Sequence, residues 1–524
     1  MLESGLKEQL KGLFSELKHS YTLHIEFHPK HPKGAQMVEF LQDVAECSDK
    51  IECKIDTPEG TIAENENLLQ FHILRDNLAT GIIFRAIPNG HEFTSLVIAI
   101  LNLDGKGKNL PDEFTTERIA ALSGMINLTT YMALTCPNCP DVVQALNIVA
   151  MLNGRVTHEV VDGALFEAEA DSLNIQSVPT VYADGELLHV GRGTLAELLE
   201  KLHAKYGSEK VAEHNVTRTF DVAIAGGGPA GATAAIYLAR KGLKVAVVAQ
   251  KIGGQVNDTV AIENIPSVAE TTGAKLAQDL HNHMLEYESI AILENRTIES
   301  VDIAEQTKKL HVMGGETIEA NQLIIATGAQ WQKLGIDGEA EYAGRGVAYC
   351  PHCDGPLFTD KKVAVIGGGN SGVEAAIDLA GICKEVALIE FAEQLKADDL
   401  LQERVRELPN VKIFTNHQTT KIIGNGTTVN ALEMKDRATD EMKSLELDGI
   451  FVQIGLYANS TLFADKLERN ERGEIIVDNN GRTSVEMVYA AGDVTNVSYK
   501  QIVISMGAGA KAALALFDDK IRKK

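Results

Sequence analysis

Two pairs of cysteines share one spacing. Cys136-Pro137-Asn138-Cys139 and Cys350-Pro351-His352-Cys353 each set two thiols two residues apart. That spacing can close a small disulfide ring and open it again by thiol–disulfide exchange. Exchange needs one sulfur as a thiolate. Cys136 falls between an expected strand and an expected helix, so its sulfur meets a helix N-terminus, where free N–H groups and the dipole favour negative charge. Cys350 and Cys353 are followed by Asp354, an acid suited to protonating a leaving thiolate. The rival chemistry is a zinc cage made by four cysteine sulfurs. Structural zinc sites bring their pairs much closer in sequence, and each pair here has its own redox setting. Exchange is therefore favoured and no metal is expected. Cys47, Cys53 and Cys383 have no partner at motif spacing and read as small core or surface residues.

The elements that must position Cys136 occur twice. Tyr21–Phe27 reads as a strand, His28-Pro29-Lys30-His31-Pro32 as a turn, and Met37 to Val44 as a helix. In the second copy Leu128–Leu134 is the strand, Cys136-Pro137-Asn138-Cys139-Pro140 the turn, and Asp141 to Leu152 the helix. The turns match as X-Pro-x-X-Pro, with histidines in one and cysteines in the other. A further strand follows in each copy (Ile51–Asp56; Thr157–Val161), then a hairpin pattern and a closing helix. This order is thioredoxin-like, and a duplication of it is a fold-level signal. Residues 1–202 are expected to form two such units in one continuous sheet, the second redox-active. Val178-Pro179-Thr180 is expected to supply the cis-proline facing the disulfide, and the first unit has no proline at that position, near Leu69-Gln70. His28 and His31 fit a unit that has lost its thiols better than a metal pair. Glu92, in Gly90-His91-Glu92-Phe93, has two readings: a base carried from the first unit toward Cys136, or an acid at a helix start. Residues 203–218 are polar and read as a linker.

From Phe220 onward apolar strands alternate with amphipathic helices, the pattern of a parallel sheet covered on both faces. Two glycine loops sit in it. Asp221–Ala225 runs into Gly226-Gly227-Gly228-Pro229-Ala230-Gly231 and then a helix from Ala232 to Lys241. Lys362–Ile366 runs into Gly367-Gly368-Gly369-Asn370-Ser371-Gly372 and a helix from Val373 to Ala380. Glycines in this pattern allow a tight turn and close backbone approach to a pyrophosphate, which rests on the helix N-terminus. After the second loop, the next strand ends at Glu390, about the 20 residues on at which a carboxylate meets an adenosine ribose. Phe391, Ala392 and Glu393 follow and no Arg stands beside it, so NADH is favoured over NADPH. The corresponding strand after the first loop, Val245–Val248, ends in Ala249-Gln250 without a carboxylate, which argues against NAD there but not against FAD. Val488–Asp493 adds a buried strand ending in Gly-Asp, and Asp493 can hold a flavin's ribityl chain.

At 524 residues the chain needs two to four domains. Hydrophobic residues at 44% and charged residues at 23% are the balance of a globular protein. A net charge of −24 and a pI near 5.1 repel phosphate backbones and anionic lipid, so neither nucleic acid nor membrane is an expected partner. The N-terminus lacks the basic and apolar stretches of a signal peptide, and no run is long enough to span a bilayer, so a cytoplasmic setting is expected.

End to end, the sequence resembles the alkyl hydroperoxide reductase F family, flavoproteins that reduce a bacterial peroxiredoxin. The segments that carry the resemblance are Gly253-Gly254-Gln255-Val256, Asp258-Thr259-Val260, Ile262-Glu263-Asn264, Ala326-Thr327-Gly328-Ala329, Tyr349 to Phe358, and Tyr499-Lys500-Gln501-Ile502. From Phe220 it is also similar to low-molecular-weight thioredoxin reductase. The resemblance implies an α/β architecture of two tandem thioredoxin-like units, an FAD domain (219–338 with 460–524) and an NADH domain carrying a redox disulfide (339–459). It implies FAD at Gly226, Gly228, Gly231, Gln255, Asn264, Thr327, Gly328, Asp493 and Gln501, and NADH at Gly367, Gly369, Gly372 and Glu390. Electrons would pass from NADH to FAD, to Cys350–Cys353 with Cys353 nearest the flavin and Asp354 as acid, then to Cys136–Cys139, and out to a peroxiredoxin of the alkyl hydroperoxide reductase C type. Cys136 would attack and Cys139 resolve. A homodimer is implied, as is rotation of the 340–460 domain about hinges near Glu341 and Asn459. Trp331-Gln332 and Tyr457-Ala458-Asn459 depart from the family pattern away from any cysteine or phosphate loop. A hydrogen-peroxide-forming NADH oxidase, a general thioredoxin-type disulfide reductase and a nucleotide-binding redox sensor are the alternative readings.

Overall fold

A computed structural model of the chain describes residues 2–56, 66–107, 110–136, 139–175, 177–209, 216–258, 262, 265–304, 306–339, 341–343, 345–349 and 351–522. Asp258, Trp331, His352, Cys353 and Leu456 are described through their backbone alone. The chain divides into two compact units, residues 1–208 with 333–454 and residues 209–332 with 455–524.

The N-terminal part of the first unit runs α1 (Ser4–Phe14), β1 (Tyr21–Phe27), α2 (Gly34–Ala45), β2 (Ile51–Asp56), β3 (Leu69–Arg75), β4 (Leu78–Arg85), α3 (Phe93–Leu103), α4 (Glu113–Ala120), β5 (Ile126–Met132), α5 (Cys139–Leu152), β6 (Val156–Asp162), α6 (Glu167–Ser172), β7 (Thr180–Ala183), β8 (Glu186–Val190) and α7 (Leu195–Tyr206). Its strands form one sheet in the order β2-β1-β3-β4-β6-β5-β7-β8. Each thioredoxin-like unit gives four strands, and the join is β4 lying parallel to β6, from Ile82 opposite His158 to Arg85 opposite Val161. The expected continuous sheet is present. Helix α5 buries Val142, Val143, Leu146 and Val149 on it, each worth about 1.5–3 kcal/mol relative to exposure. The strand expected over Leu128–Leu134 lies two residues earlier. The cause is local: the Leu134 carbonyl accepts the His91 N–H at 3.1 Å and so leaves the sheet. In the region read as a linker, α7 continues to Tyr206, Gly207 stops it at φ +71, and residues 210–215 lie outside the described residues.

The same unit carries a parallel sheet ordered Val347–Ala348, Gly449–Val452, Lys362–Ile366, Glu385–Ile389, Val411–Phe414. An antiparallel sheet of His417–Gly424, Val429–Asp436 and Met442–Glu446 stands beside it. The second unit is built on Ile290–Leu293, Val245–Val248, Thr217–Ala225, Glu316–Ile325 and Val488–Ala490, in that order and parallel. Both dinucleotide folds thus put their glycine loop at the carboxyl end of a central strand, where open α/β sheets bind ligands.

The helices after both loops start earlier than the periodicity predicts, at Pro229 and at Asn370 rather than Ala232 and Val373. Gly231 and Gly372 therefore lie within the first helical turn. The division between units also falls before the expected hinges. Asn459 donates its backbone N–H to the Gly328 carbonyl (2.9 Å) and its side-chain amide to the Thr327 carbonyl (2.9 Å), and its carbonyl accepts from Thr327 Oγ1 (2.7 Å). These bonds make Asn459 part of the second unit. Gly455 has φ +105, and its carbonyl accepts the Gln332 N–H at 2.8 Å. Glu341 lies inside the first unit, its carbonyl held by the Arg345 guanidinium.

Candidate functional site

Cys136 ends the turn after β5, and Cys139 opens α5. The Cys139 N–H donates to Cys136 Sγ at 3.2 Å, so the helix N-terminus addresses the first sulfur, as its position in the sequence predicts. Val178-Pro179 is cis, and the Val178 carbonyl lies 3.9 Å from Cys136 Sγ. Both thiols are buried and unbridged. Burial pushes the Cys139 thiol well above its usual range, and the Cys136 sulfur and the Glu92 carboxyl add to the shift. The pair is thus unequal: Cys136 receives the N–H that stabilises a thiolate, and Cys139 keeps its proton.

Glu92 comes to this pair from the first thioredoxin-like unit. Gly90, at φ +55, packs against the Leu134 carbonyl, where a Cβ would stand 2.7 Å away, and His91 donates to the same oxygen. The glutamate that follows is fully buried, with neither carboxylate oxygen hydrogen-bonded in good geometry. Burial raises its pKa to about 7, with Ser95 opposing. Its charge bears on Cys139, the second thiol of the pair. The two sequence readings are compatible, since Glu92 also precedes α3 as its N-terminal flank.

Asp354 closes a short helix, Pro351–Asp354. It is buried and accepts the Ser177 hydroxyl at 3.0 Å. Burial pushes its carboxyl up to about 7, with Ser177 and Arg192 opposing. Ser177 precedes the cis-proline segment, and its carbonyl accepts the Thr180 hydroxyl at 2.6 Å. The loop that faces Cys136 therefore also holds Asp354. Leu357 packs onto the core of the thioredoxin-like module as well. Ser177 carried no motif, and only this packing reveals it. Cys350 lies outside the described residues, and Cys353 is placed by its backbone only.

The glycine loops show which positions the fold itself requires. A Cβ at Gly226 would lie 2.2 Å from the Ala326 carbonyl, and one at Gly231 2.0 Å from the Gly226 carbonyl. At Gly367 it would meet the Gln453 carbonyl at 2.1 Å, and at Gly372 the Gly367 carbonyl at 1.9 Å. The middle glycines differ. Gly369 has nothing within 4 Å, Gly228 only the Gly253 carbonyl at 3.8 Å, and both have ordinary negative φ. Nothing in the chain needs them to be glycine. Each precedes a helix that has no side-chain cap. Open space over free N–H groups fits a pyrophosphate.

Around the first loop, Gln255 lies in the turn Gly254–Asp258 and Asp493 accepts the Ser505 hydroxyl at 2.9 Å. Burial raises the Asp493 pKa. Thr327 and Gly328 are fastened to Asn459, and Gln501 is exposed just before the helix Ile502–Arg522. Asn264 lies outside the described residues. Around the second loop, Glu390 is mostly buried; its carboxylate accepts the Gly368 N–H at 2.5 Å and the Ala392 N–H at 2.6 Å. The tertiary fold corrects one sequence reading here. An arginine does stand beside the strand end: Arg437 lies with its guanidinium carbon 3.8 Å over the Phe391 ring. It comes from the end of a later strand, so local sequence could not reveal it.

Residues 220–509 match the family described as pyridine nucleotide-disulphide oxidoreductase, and residues 127–204 match a thioredoxin domain. The chain is 48% identical to the F subunit of alkyl hydroperoxide reductase from Pseudomonas putida, over 100% of this chain and 99% of that protein. It is 44% identical to a protein of Bacillus subtilis (strain 168) named NADH dehydrogenase, over 100% of both. Among solved structures it is similar to Lactococcus lactis thioredoxin reductase (TM-score 0.55, 31% identity, 58% of this chain and 99% of that one). T. acidophilum thioredoxin reductase is similar over the same shares (TM-score 0.53, 38% identity).

Proposed function

The chain belongs to the alkyl hydroperoxide reductase F family of the pyridine nucleotide-disulphide oxidoreductases, flavoprotein disulfide reductases that use FAD and NAD(P)H, and from that premise we propose how its own residues divide the work. Cys350 and Cys353 form the pair that collects electrons, and Cys136 and Cys139 the pair that delivers them to a peroxiredoxin disulfide. The observation that carries this is the Ser177–Asp354 hydrogen bond. It joins the segment bearing the first pair to the loop facing the second, as transfer between them requires.

Bound flavin would accept a hydride from the nicotinamide and return two electrons to a disulfide. The remaining chemistry belongs to the chain. Cys350 attacks the Cys136–Cys139 disulfide while Asp354, protonated near neutral pH, sits at the junction as proton donor. The attack falls on Cys136, so a Cys350–Cys136 bond forms and Cys139 leaves as a thiol, its proton supplied from Asp354. Cys353 then attacks Cys350, closing the Cys350–Cys353 disulfide and freeing Cys136 as a thiolate held by the Cys139 N–H. Cys136 then attacks the partner's disulfide, and Cys139 resolves the mixed disulfide, with Glu92 placed to take the Cys139 proton. Cys136 is 1% exposed, so the docked segment must withdraw before a partner reaches it.

For the dinucleotide, Gly367, Gly369, Gly372 and Glu390 would hold NADH, the carboxylate meeting the free ribose hydroxyls; the relative named NADH dehydrogenase favours the same choice. Gly226, Gly228, Gly231, Gln255, Asn264, Thr327, Gly328, Asp493 and Gln501 would hold FAD. Among the described residues no helix is long and apolar enough to cross a membrane. We place the protein in the cytoplasm, as a homodimer, with a peroxiredoxin of the alkyl hydroperoxide reductase C type as partner.

An anaerobic NADH titration of the Cys136→Ser protein with such a peroxiredoxin tests the order. Flavin and Cys350–Cys353 reduce while transfer to the partner stops. Continued reduction of the partner would overturn the assignment.

A further inference from the structure

The end of strand Glu385–Ile389 carries a second arrangement beside the ribose acid. Phe391 is a large apolar side chain, 54% exposed, one residue after Glu390. The Arg437 guanidinium covers one face of its ring. Arg437 Nη1 donates to the Phe391 carbonyl at 2.9 Å and to Asn416 Oδ1 at 3.1 Å. The backbone secures both partners: Arg437 N–H bonds the Asn416 carbonyl (2.9 Å), and Asn416 N–H bonds the Ala392 carbonyl (2.7 Å). The N–H groups of Lys396 and Ala397 reach the Gly368 carbonyl at 2.8 and 3.1 Å, folding this loop onto the glycine turn. An aromatic ring thus stands next to the ribose acid with one face taken by a cation and more than half of the side chain open to solvent. An arginine committed to stacking and to two acceptors is not presented as a free charge.

We propose that Phe391 and Arg437 together set dinucleotide choice: the exposed ring of Phe391 receives the adenine, and the stack withholds Arg437 from a 2′-phosphate. The inference rests on the assignment of this loop to NADH. Selectivity then has two sources. The Glu390 carboxylate accepts ribose hydroxyls and repels a phosphate, and Arg437, which stands at this strand end, is kept turned onto the ring. Arg437 is a positioning residue here: stacking on the second face stiffens the platform. An arginine freed of that stack would answer a phosphate with charge-assisted, bidentate hydrogen bonds.

The test measures binding of ADP-ribose and 2′-phospho-ADP-ribose to the full-length flavoprotein by titration calorimetry, with NADH and NADPH kinetics alongside. In Phe391→Ala, ADP-ribose affinity falls about tenfold with the lost stacking. The preference for ADP-ribose over its 2′-phosphate shrinks by a further factor of about ten as Arg437 is released. Adding Arg437→Gln to that variant restores the original preference without restoring affinity. Phe391→Leu, which keeps apolar bulk without a π face, gives the same shift in preference. The proposal is overturned if Phe391→Ala weakens both ligands equally, or if Arg437→Gln alone selectively abolishes 2′-phosphate binding. Wild-type protein that binds neither ligand would instead sink the assignment of the loop itself.

Discussion

The two thioredoxin-like units set the same elements into one sheet and differ in what stands between first strand and first helix. In the second, Cys136 takes the helix N–H of Cys139, and the turn is poised for exchange. In the first, the imidazoles serve the turn itself. His28 Nδ1 accepts the Lys30 N–H and His31 Nδ1 the Lys33 N–H, each at 3.2 Å, while the His28 carbonyl accepts the His31 N–H at 2.8 Å. The turn survives without thiols because its geometry needs acceptors, and imidazole nitrogens supply them. The first unit still reaches the redox pair through Glu92, carried toward Cys139 at the start of α3.

The sharpest break in this comparison is at Cys136. Cys136→Ser should slow reduction of a peroxiredoxin disulfide by at least about a thousandfold, since it removes the sulfur that the Cys139 N–H addresses. Stopped-flow absorbance of the flavin should show NADH oxidation unaffected in its first turnover. The next effect belongs to Asp354. Asp354→Asn removes the proposed proton donor yet can still accept the Ser177 hydroxyl, so exchange between the pairs should fall about a hundredfold. With its carboxyl pushed up to about 7, the parent rate should decline as pH rises through 7. The variant should be flat there, as thiol trapping across a pH series would report.

The duplication was legible because its turns repeat as X-Pro-x-X-Pro, and the strand bounds Tyr21–Phe27 and Ile51–Asp56 agree with the apolar pattern that the sequence shows. The glycine loops were legible because their spacing answers a ligand that many folds share. Other features were not, and for one physical reason. Ser177 with Asp354, and Phe391 with Arg437, are meetings of residues far apart in the chain, without local pattern in either partner. Glu92 could be named, but not its depth of burial, since that depends on how Gly90 rides against Leu134. The helix starts at Pro229 and Asn370 were hidden because glycine carries no helical signal, although the first turn of each helix must contain one.

Glu92 gives the third effect, and its sign can be worked out. Its carboxyl is raised to about 7, from a usual value of 4.5, by burial. The folded chain therefore keeps a proton between those pH values that the unfolded chain has released. Stability from this group is full below pH 4.5 and is lost as pH rises to about 7. Glu92→Gln should thus be more stable than the parent at pH 8, by about 2–3 kcal/mol, and about equal at pH 4.5. Amide exchange of α3 across pH measures this. Recharging of Cys139 should slow about tenfold in the same variant. Unchanged exchange with raised stability would leave Glu92 a packing residue only.

The smallest effect tests the first unit's turn. His28→Ala with His31→Ala should change peroxiredoxin reduction less than about twofold, because both imidazoles serve the turn itself. It should cost about 1–2 kcal/mol of local stability, since two turn N–H groups lose their acceptors. Burial and the neighbouring His28 hold His31 below its usual pKa, so its acceptor is available at neutral pH. Protonation would remove it: a neutral imidazole accepts through one nitrogen, and imidazolium only donates. For His31, whose pKa is lowered, folding favours the neutral form. Its contribution is present above the unfolded value near 6.5 and is lost as pH falls below it. Protection of the Lys33 amide should therefore drop between pH 6.5 and 5 in the parent and be low and flat in the double variant. The second unit's turn has no imidazole in it and should show no such step. Its protection should respond instead to the redox state of Cys136, so the two copies of one turn are separable by acid in one case and by a reductant in the other.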